Sequence, residues 1–197
     1  FIHPFDDENV IAGQGTIGLE ILEQLPDVDV VVVPIGGGGL IAGVAYTIKQ
    51  INPNCKVYGV QAAGAPSMKN SVADGKIETL KNVQTIADGI AVKTPGTNTF
   101  ELIKKYVDGI YTVSDDEIAL AILTLMEQQK LVSEGAGAVP VAAVMNGKIP
   151  DIEGKKVCCL VSGGNIDVTI LSRVIERGLK MGGRSASITI ALSDKPG

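Results

Sequence analysis

Val28-Asp29-Val30-Val31-Val32-Val33-Pro34-Ile35, followed at once by Gly36-Gly37-Gly38-Gly39-Leu40, is the stretch on which the fold turns. A β-branched run of this length, stopped by glycine, reads as a strand buried on both faces. A helical candidate follows at 40–50, so the local order is strand, loop, helix. Runs at 56–60 and 157–161 have the same make-up, and a helical candidate at 167–180 follows the last. The expected class is α/β, an open and mostly parallel sheet with helices on both faces.

That order places Gly36, Gly37, Gly38 and Gly39 at the carboxyl edge of the sheet, where ligands bind in such folds. Residues without Cβ let consecutive backbone N–H groups converge on an anion, and the helix opening at Leu40 adds its positive end. No lysine followed by serine or threonine completes a triphosphate-and-magnesium loop, so a single phosphate monoester suits it better. The plain alternative is a flexible glycine turn. Ser162-Gly163-Gly164-Asn165 ends the last strand in the same way. Its hydroxyl can donate to a neutral ring nitrogen without forcing protonation, although serine is also an ordinary turn residue. Gly13-Gln14-Gly15-Thr16-Ile17-Gly18 matches the dinucleotide pattern but lacks the preceding strand and the later acidic residue. It reads instead as a glycine turn opening a helix that runs to Leu25, with binding of NAD a distant alternative.

A net charge of −5, with its basic residues scattered, disfavours nucleic acid and other polyanions. No apolar run approaches the ~20 residues that span a bilayer, and residues 1–5 lack a signal-peptide layout, so no membrane role and a soluble cytoplasmic protein are expected. Cys55, Cys158 and Cys159 form neither a CxxC pair nor a disulfide framework, and the adjacent pair reads as buried strand thiols. Ser114-Asp115-Asp116-Glu117 is a capping box opening a helix whose Ile118, Ile122 and Leu125 face the sheet. The main unit is expected over residues 1–181. After Gly182-Gly183, residues 185–192 alternate like a half-buried strand before Asp194-Lys195-Pro196-Gly197, so 182–197 reads as a linker and the start of a second unit.

The chain resembles the pyridoxal-phosphate-dependent enzymes of the tryptophan-synthase-β fold type, and within them the threonine dehydratases and serine racemases. The resemblance spans residues 1–180. It rests on His3-Pro4-Phe5-Asp6-Asp7, the segment 13–20, the tetraglycine loop, Thr85-Ile86-Ala87-Asp88-Gly89, Glu134-Gly135-Ala136-Gly137-Ala138 and Ser162-Gly163-Gly164-Asn165, in this order. It implies the large domain of that fold type, with pyridoxal 5'-phosphate as cofactor. Gly36, Gly37, Gly38, Gly39 and Leu40 would hold the phosphate, Ser162 would bond the pyridine nitrogen, and Gly89 and Glu134 would line the pocket. Phe5 would lie near the ring. Glu134 is read as a pocket carboxylate in preference to a simple helix cap, and His3 as a structural residue before proline.

The implied reaction is β-elimination of water from L-threonine, giving 2-oxobutanoate and ammonia, with L-serine giving pyruvate. A serine racemase or serine dehydratase is the alternative. The resemblance also implies a homodimer or homotetramer, and the final segment is similar to the start of an ACT domain, which would bind a small allosteric effector. Two departures stand out. The cofactor-bearing lysine and the loop gripping the substrate belong to an earlier part of the family's sequence, so no catalytic residue is assigned here and a non-catalytic fragment is a further alternative. Where serine racemases carry carboxylates for a divalent cation, this chain reads Gln61-Ala62-Ala63-Gly64-Ala65-Pro66-Ser67, so no metal site is expected and the glutamine favours a dehydratase.

Overall fold

The valine run becomes β1 (Val30–Pro34), and every one of its residues is buried. Val30 and Val32 enter one apolar core, while Val31 and Val33 enter another on the opposite face. This two-sided burial is why the run is continuous rather than alternating. The structure, a computed structural model, describes residues 2–191. Beside β1 lie β2 (Lys56–Ala62) and β4 (Val157–Cys159), and β3 (Gly109–Val113) pairs with the far side of β2. The order is β3-β2-β1-β4, and every pairing is parallel. The α/β class and the parallel sheet are as expected, while the strands at 28–35 and 157–161 are shorter than their apolar runs. β3 was not anticipated, because its Gly-Ile-Tyr-Thr-Val sequence is half-buried at an edge and only Val113 is fully enclosed.

Helices α1 (Glu8–Gln24), α2 (Gly39–Ile51) and α4 (Thr97–Tyr106) cover one face. The short α3 (Ser67–Asp74) follows β2. The other face carries α5 (Asp115–Thr124) and α6 (Gly135–Met145), with α7 (Val168–Met181) packed on α5. The capping box forms as expected, with Ser114 N–H donating to Glu117 Oε2 at 2.7 Å. Beyond Thr124 the helix widens into a π turn (Leu125–Gln129) that ends at Lys130 in the left-handed region.

The sequence reading of 13–18 is corrected. These glycines lie inside α1 and do not open it; Asp7 caps the helix, accepting from the Asn9 and Val10 amides at 2.8 and 3.3 Å. They permit a close crossing with α2. A Cβ at Gly43 would collide with the Ile11 carbonyl and stand 2.7 Å from the Gly15 nitrogen. The second correction concerns the C-terminal strand. Residues 185–191 are exposed and form no strand, having no ladder partner among the described residues, while Leu192 and the 194–197 turn lie outside the described residues. Thirdly, Cys158 and Cys159 are half-buried rather than buried, because β4 is an edge strand. Burial still pushes the Cys159 thiol up to about 12, so it stays protonated at neutral pH. Among the described residues no helix is long and apolar enough to cross a membrane.

Candidate functional site

β1 and β4 are parallel neighbours, so the loops leaving their carboxyl ends open side by side. Between them lies a cavity of about 350 Å³. Gly36, Gly37, Gly38, Gly39 and Leu40 form its floor, and Phe5, Gly89, Glu134 and Ser162 also line it. Every residue singled out for the site thus borders one space, contributed from five separated segments. Gln14, Ala136 and Val92 line it as well. Gln14 and Ala136 fall within the segments that carry the family resemblance without being singled out there, and nothing in the sequence distinguishes Val92, since a branched residue has many ordinary uses.

The glycine loop is not a slack turn. Gly38 is the N-cap of α2 at φ 103°, a left-handed conformation that costs other residues, and it offers no side-chain cap to the helix. Gly37 is packed against the Phe5 ring so closely that a Cβ would overlap it, and a Cβ on Gly39 would stand 2.8 Å from the Phe5 carbonyl oxygen. Among the described residues, none of the N–H groups from Gly36 to Ile41 has a protein acceptor. Consecutive donors at a helix N-terminus, half or fully buried, fit a phosphate monoester.

Local bonds set the walls. His3 Nδ1 accepts from the Asp6 amide at 2.9 Å, which supports its structural reading, and the His3 and Phe5 rings meet edge to face at 4.5 Å. Asp6 in turn caps α4, accepting from Thr97, Asn98 and Thr99 N–H at 2.9, 2.8 and 3.1 Å. Phe5 is therefore clamped between two anchored neighbours. On the opposite wall Asp115 accepts from Thr85 Oγ1 and Ile86 N–H at 2.6 and 3.2 Å, which holds the segment leading into the 3-10 turn Asp88–Ile90. Glu134 occupies the N-cap position of α6 yet makes no side-chain cap bond. Its carboxylate is directed towards Gly89 and Gly163, where a Cβ on Gly163 would stand 2.5 Å from Oε1. The Glu134 amide donates to Gly163 O at 3.1 Å and Ser133 Oγ to the same oxygen at 3.2 Å, tying this wall to the Ser162 turn. Ser162 itself is exposed at the rim. Gln61 is fully buried, donating to Ile35 O at 3.3 Å and accepting from Lys69 N–H at 2.9 Å.

The family described as pyridoxal-phosphate dependent enzyme matches residues 1–163. An L-threonine ammonia-lyase of Thermotoga maritima is 58% identical over all of this chain and 49% of its own length. The chain spans about half the length of the curated relatives it matches. Among solved structures, the processed form of threonine deaminase isoform 2 from Solanum lycopersicum superposes with a TM-score of 0.82 at 43% identity, covering 89% of this chain and 52% of that one. Serine racemase from Dictyostelium discoideum gives 0.78 at 41%, covering 85% and 54%.

Proposed function

This chain belongs to the pyridoxal-phosphate-dependent enzyme family, and on that premise we propose that it is the phosphate-holding part of an L-threonine ammonia-lyase. Net, L-threonine gives 2-oxobutanoate and ammonia, and L-serine gives pyruvate and ammonia. The observation that carries this reading is the run of N–H groups from Gly36 to Ile41, without an acceptor among the described residues, on the floor of a cavity whose rim bears Ser162. The name borne by the Thermotoga relative supports the reaction. Gln61 supports a dehydratase over a racemase, because its amide is spent on Ile35 and Lys69 and offers no charged cation ligand.

When bound, the cofactor supplies an electron sink for negative charge developing at the substrate's α-carbon. The chain's own residues would do the rest of the placing. The backbone donors of Gly36 to Ile41, with the positive end of α2, would hold the phosphate dianion. Ser162 Oγ would donate to the pyridine nitrogen without transferring a proton to it. Phe5 and Ala136 would keep water from the ring, with Gly89 leaving room at its edge. Among the described residues no lysine lines the cavity, so the proton-transferring amine is assigned to no residue of this chain. The same proposal divides the protein near residue 181: α7 ends at Met181, and residues 185–191 lie exposed without regular structure.

The test is an assay of the whole protein, saturated with cofactor, on L-threonine and L-serine, with ammonia and 2-oxo acid followed together. Equal amounts of 2-oxobutanoate and ammonia from threonine are expected. Interconversion of L- and D-serine as the main reaction would favour the racemase reading, and the absence of both 2-oxo acid and D-serine would overturn both.

A further inference from the structure

The floor of the cavity is braced from outside by two side chains that never reach it. Thr99 is fully buried, and its Oγ1 donates to Gly37 O at 2.7 Å, where the Gly96 amide also donates at 3.3 Å. Gln61 Nε2 donates to Ile35 O at 3.3 Å. In a trans peptide the carbonyl of one residue and the N–H of the next point in opposite directions. Turning the Gly37 carbonyl towards α4 therefore turns the Gly38 N–H away from α4. Turning the Ile35 carbonyl towards Gln61 does the same for the Gly36 N–H. Both glycines line the cavity.

From these alternate pinned peptide planes we propose that Thr99 and Gln61 are positioning residues, which aim the Gly38 and Gly36 N–H groups into the cavity as phosphate donors, with Asp6 setting Thr99 through the α4 cap. The inference rests on the phosphate reading above and deepens it. Glycine makes the arrangement necessary as well as feasible. A loop without side chains resists peptide rotation poorly, so the direction of its donors has to be imposed by neighbours. Thr99 is the third residue of α4, and Asp6 caps that same turn through the Thr97, Asn98 and Thr99 amides. The brace thus runs from the residue after Phe5, through the first turn of α4, to the middle of the glycine loop.

The experiment compares the affinities of the whole protein for pyridoxal 5'-phosphate and for pyridoxal by equilibrium dialysis. Their ratio isolates the phosphate grip from every contact with the ring. Thr99→Val keeps the shape and removes the hydroxyl; it should lower the ratio about tenfold, on the scale of one misdirected hydrogen bond. Thr99→Ser should restore most of it. Gln61→Met should lower the ratio in the same sense. A ratio unchanged in Thr99→Val, or an equal weakening of both ligands alongside a fall in Tm, would overturn the positioning role. Should Thr99→Val not fold, Asp6→Asn, which removes charge from the cap while keeping an acceptor, should lower the ratio about threefold, and no change there would overturn the role equally. A wild-type protein that binds both ligands alike would instead overturn the phosphate reading itself, and the positioning role with it.

Discussion

Ser162 and Gly37 border the same cavity but would fail in different ways. Ser162 offers a hydroxyl at an exposed rim, so replacing it should leave folding intact. Ser162→Ala should lower turnover about tenfold, which corresponds to roughly 1.4 kcal/mol of transition-state stabilisation, with little change in cofactor affinity. Ser162→Asp should hold the ring nitrogen protonated and redirect the products formed from L-serine. The ratio of pyruvate to D-serine measures that, and an unaltered ratio would remove Ser162 from its assigned place. Gly37→Ala, by contrast, puts a methyl into the Phe5 ring. Overpacking of this kind costs about 1–3 kcal/mol, so both the melting temperature and cofactor binding should fall, and a variant with wild-type values of both would show that Phe5 can move aside freely.

At the scale of elements, the strand-loop-helix unit around the glycines was legible because its burial is two-sided and its punctuation is strong. The helix opened by Ser114 was legible for a local reason, since a capping box needs only residues three apart. What escaped depends on partners distant in sequence. The glycines of α1 resemble a turn until α2 is laid across them, and the Asp7 cap, although present in the sequence, was outweighed by the glycine pattern. The braces escaped too. Asp6 reaches α4 across more than ninety positions, Thr99 belongs to no motif, and Gln61 stood out only as a departure from a cation-site pattern, not as a brace. The α1–α2 crossing gives a test of the corrected reading. Gly43→Ala should destabilise the fold by about 1–3 kcal/mol, as an added methyl forces two helices apart. Melting at wild-type temperature would mean that the helices can separate without cost.

Across the whole molecule, one carboxylate just before β3 ties two elements of the α2 side, α2 and β2, together. Asp108 accepts from Lys49 of α2 at 2.7 Å, from Lys56 of β2 at 3.0 Å and from the Val57 amide at 2.8 Å. Burial alone would raise its pKa, but the Lys49 bond, the Val57 amide and Lys56 outweigh that and hold it below the ordinary carboxylate value. A folded pKa below the unfolded one means that the stabilisation is complete above about pH 4. It is lost as pH falls through the depressed value. Asp108→Asn should therefore cost about 1–3 kcal/mol at neutral pH and flatten the acid limb of the stability curve, which urea titrations at stepped pH would record.

The two loops of the site hang from strands of unequal security. The glycine loop follows β1, paired on both sides and wholly buried, whereas the Ser162 turn follows β4 at the sheet edge. Openings of the edge should therefore need less free energy than openings of the centre. Any opening that destroys the site is opposed by ligand, and pyridoxal 5'-phosphate at 100 times its Kd opposes it by about 2.7 kcal/mol, near a hundredfold in exchange rate. The bonded amides of Leu160 and Ile166, each 3.0 Å from its acceptor, should then exchange up to about a hundredfold more slowly with ligand. Residues 185–191, exposed and not among those lining the cavity, should not respond. Amide exchange followed with and without cofactor separates the cases. Slowing at 185–191 with none at Leu160 and Ile166 would mean that the Ser162 turn opens without disturbing the bound cofactor, and that the second wall of the site lies elsewhere.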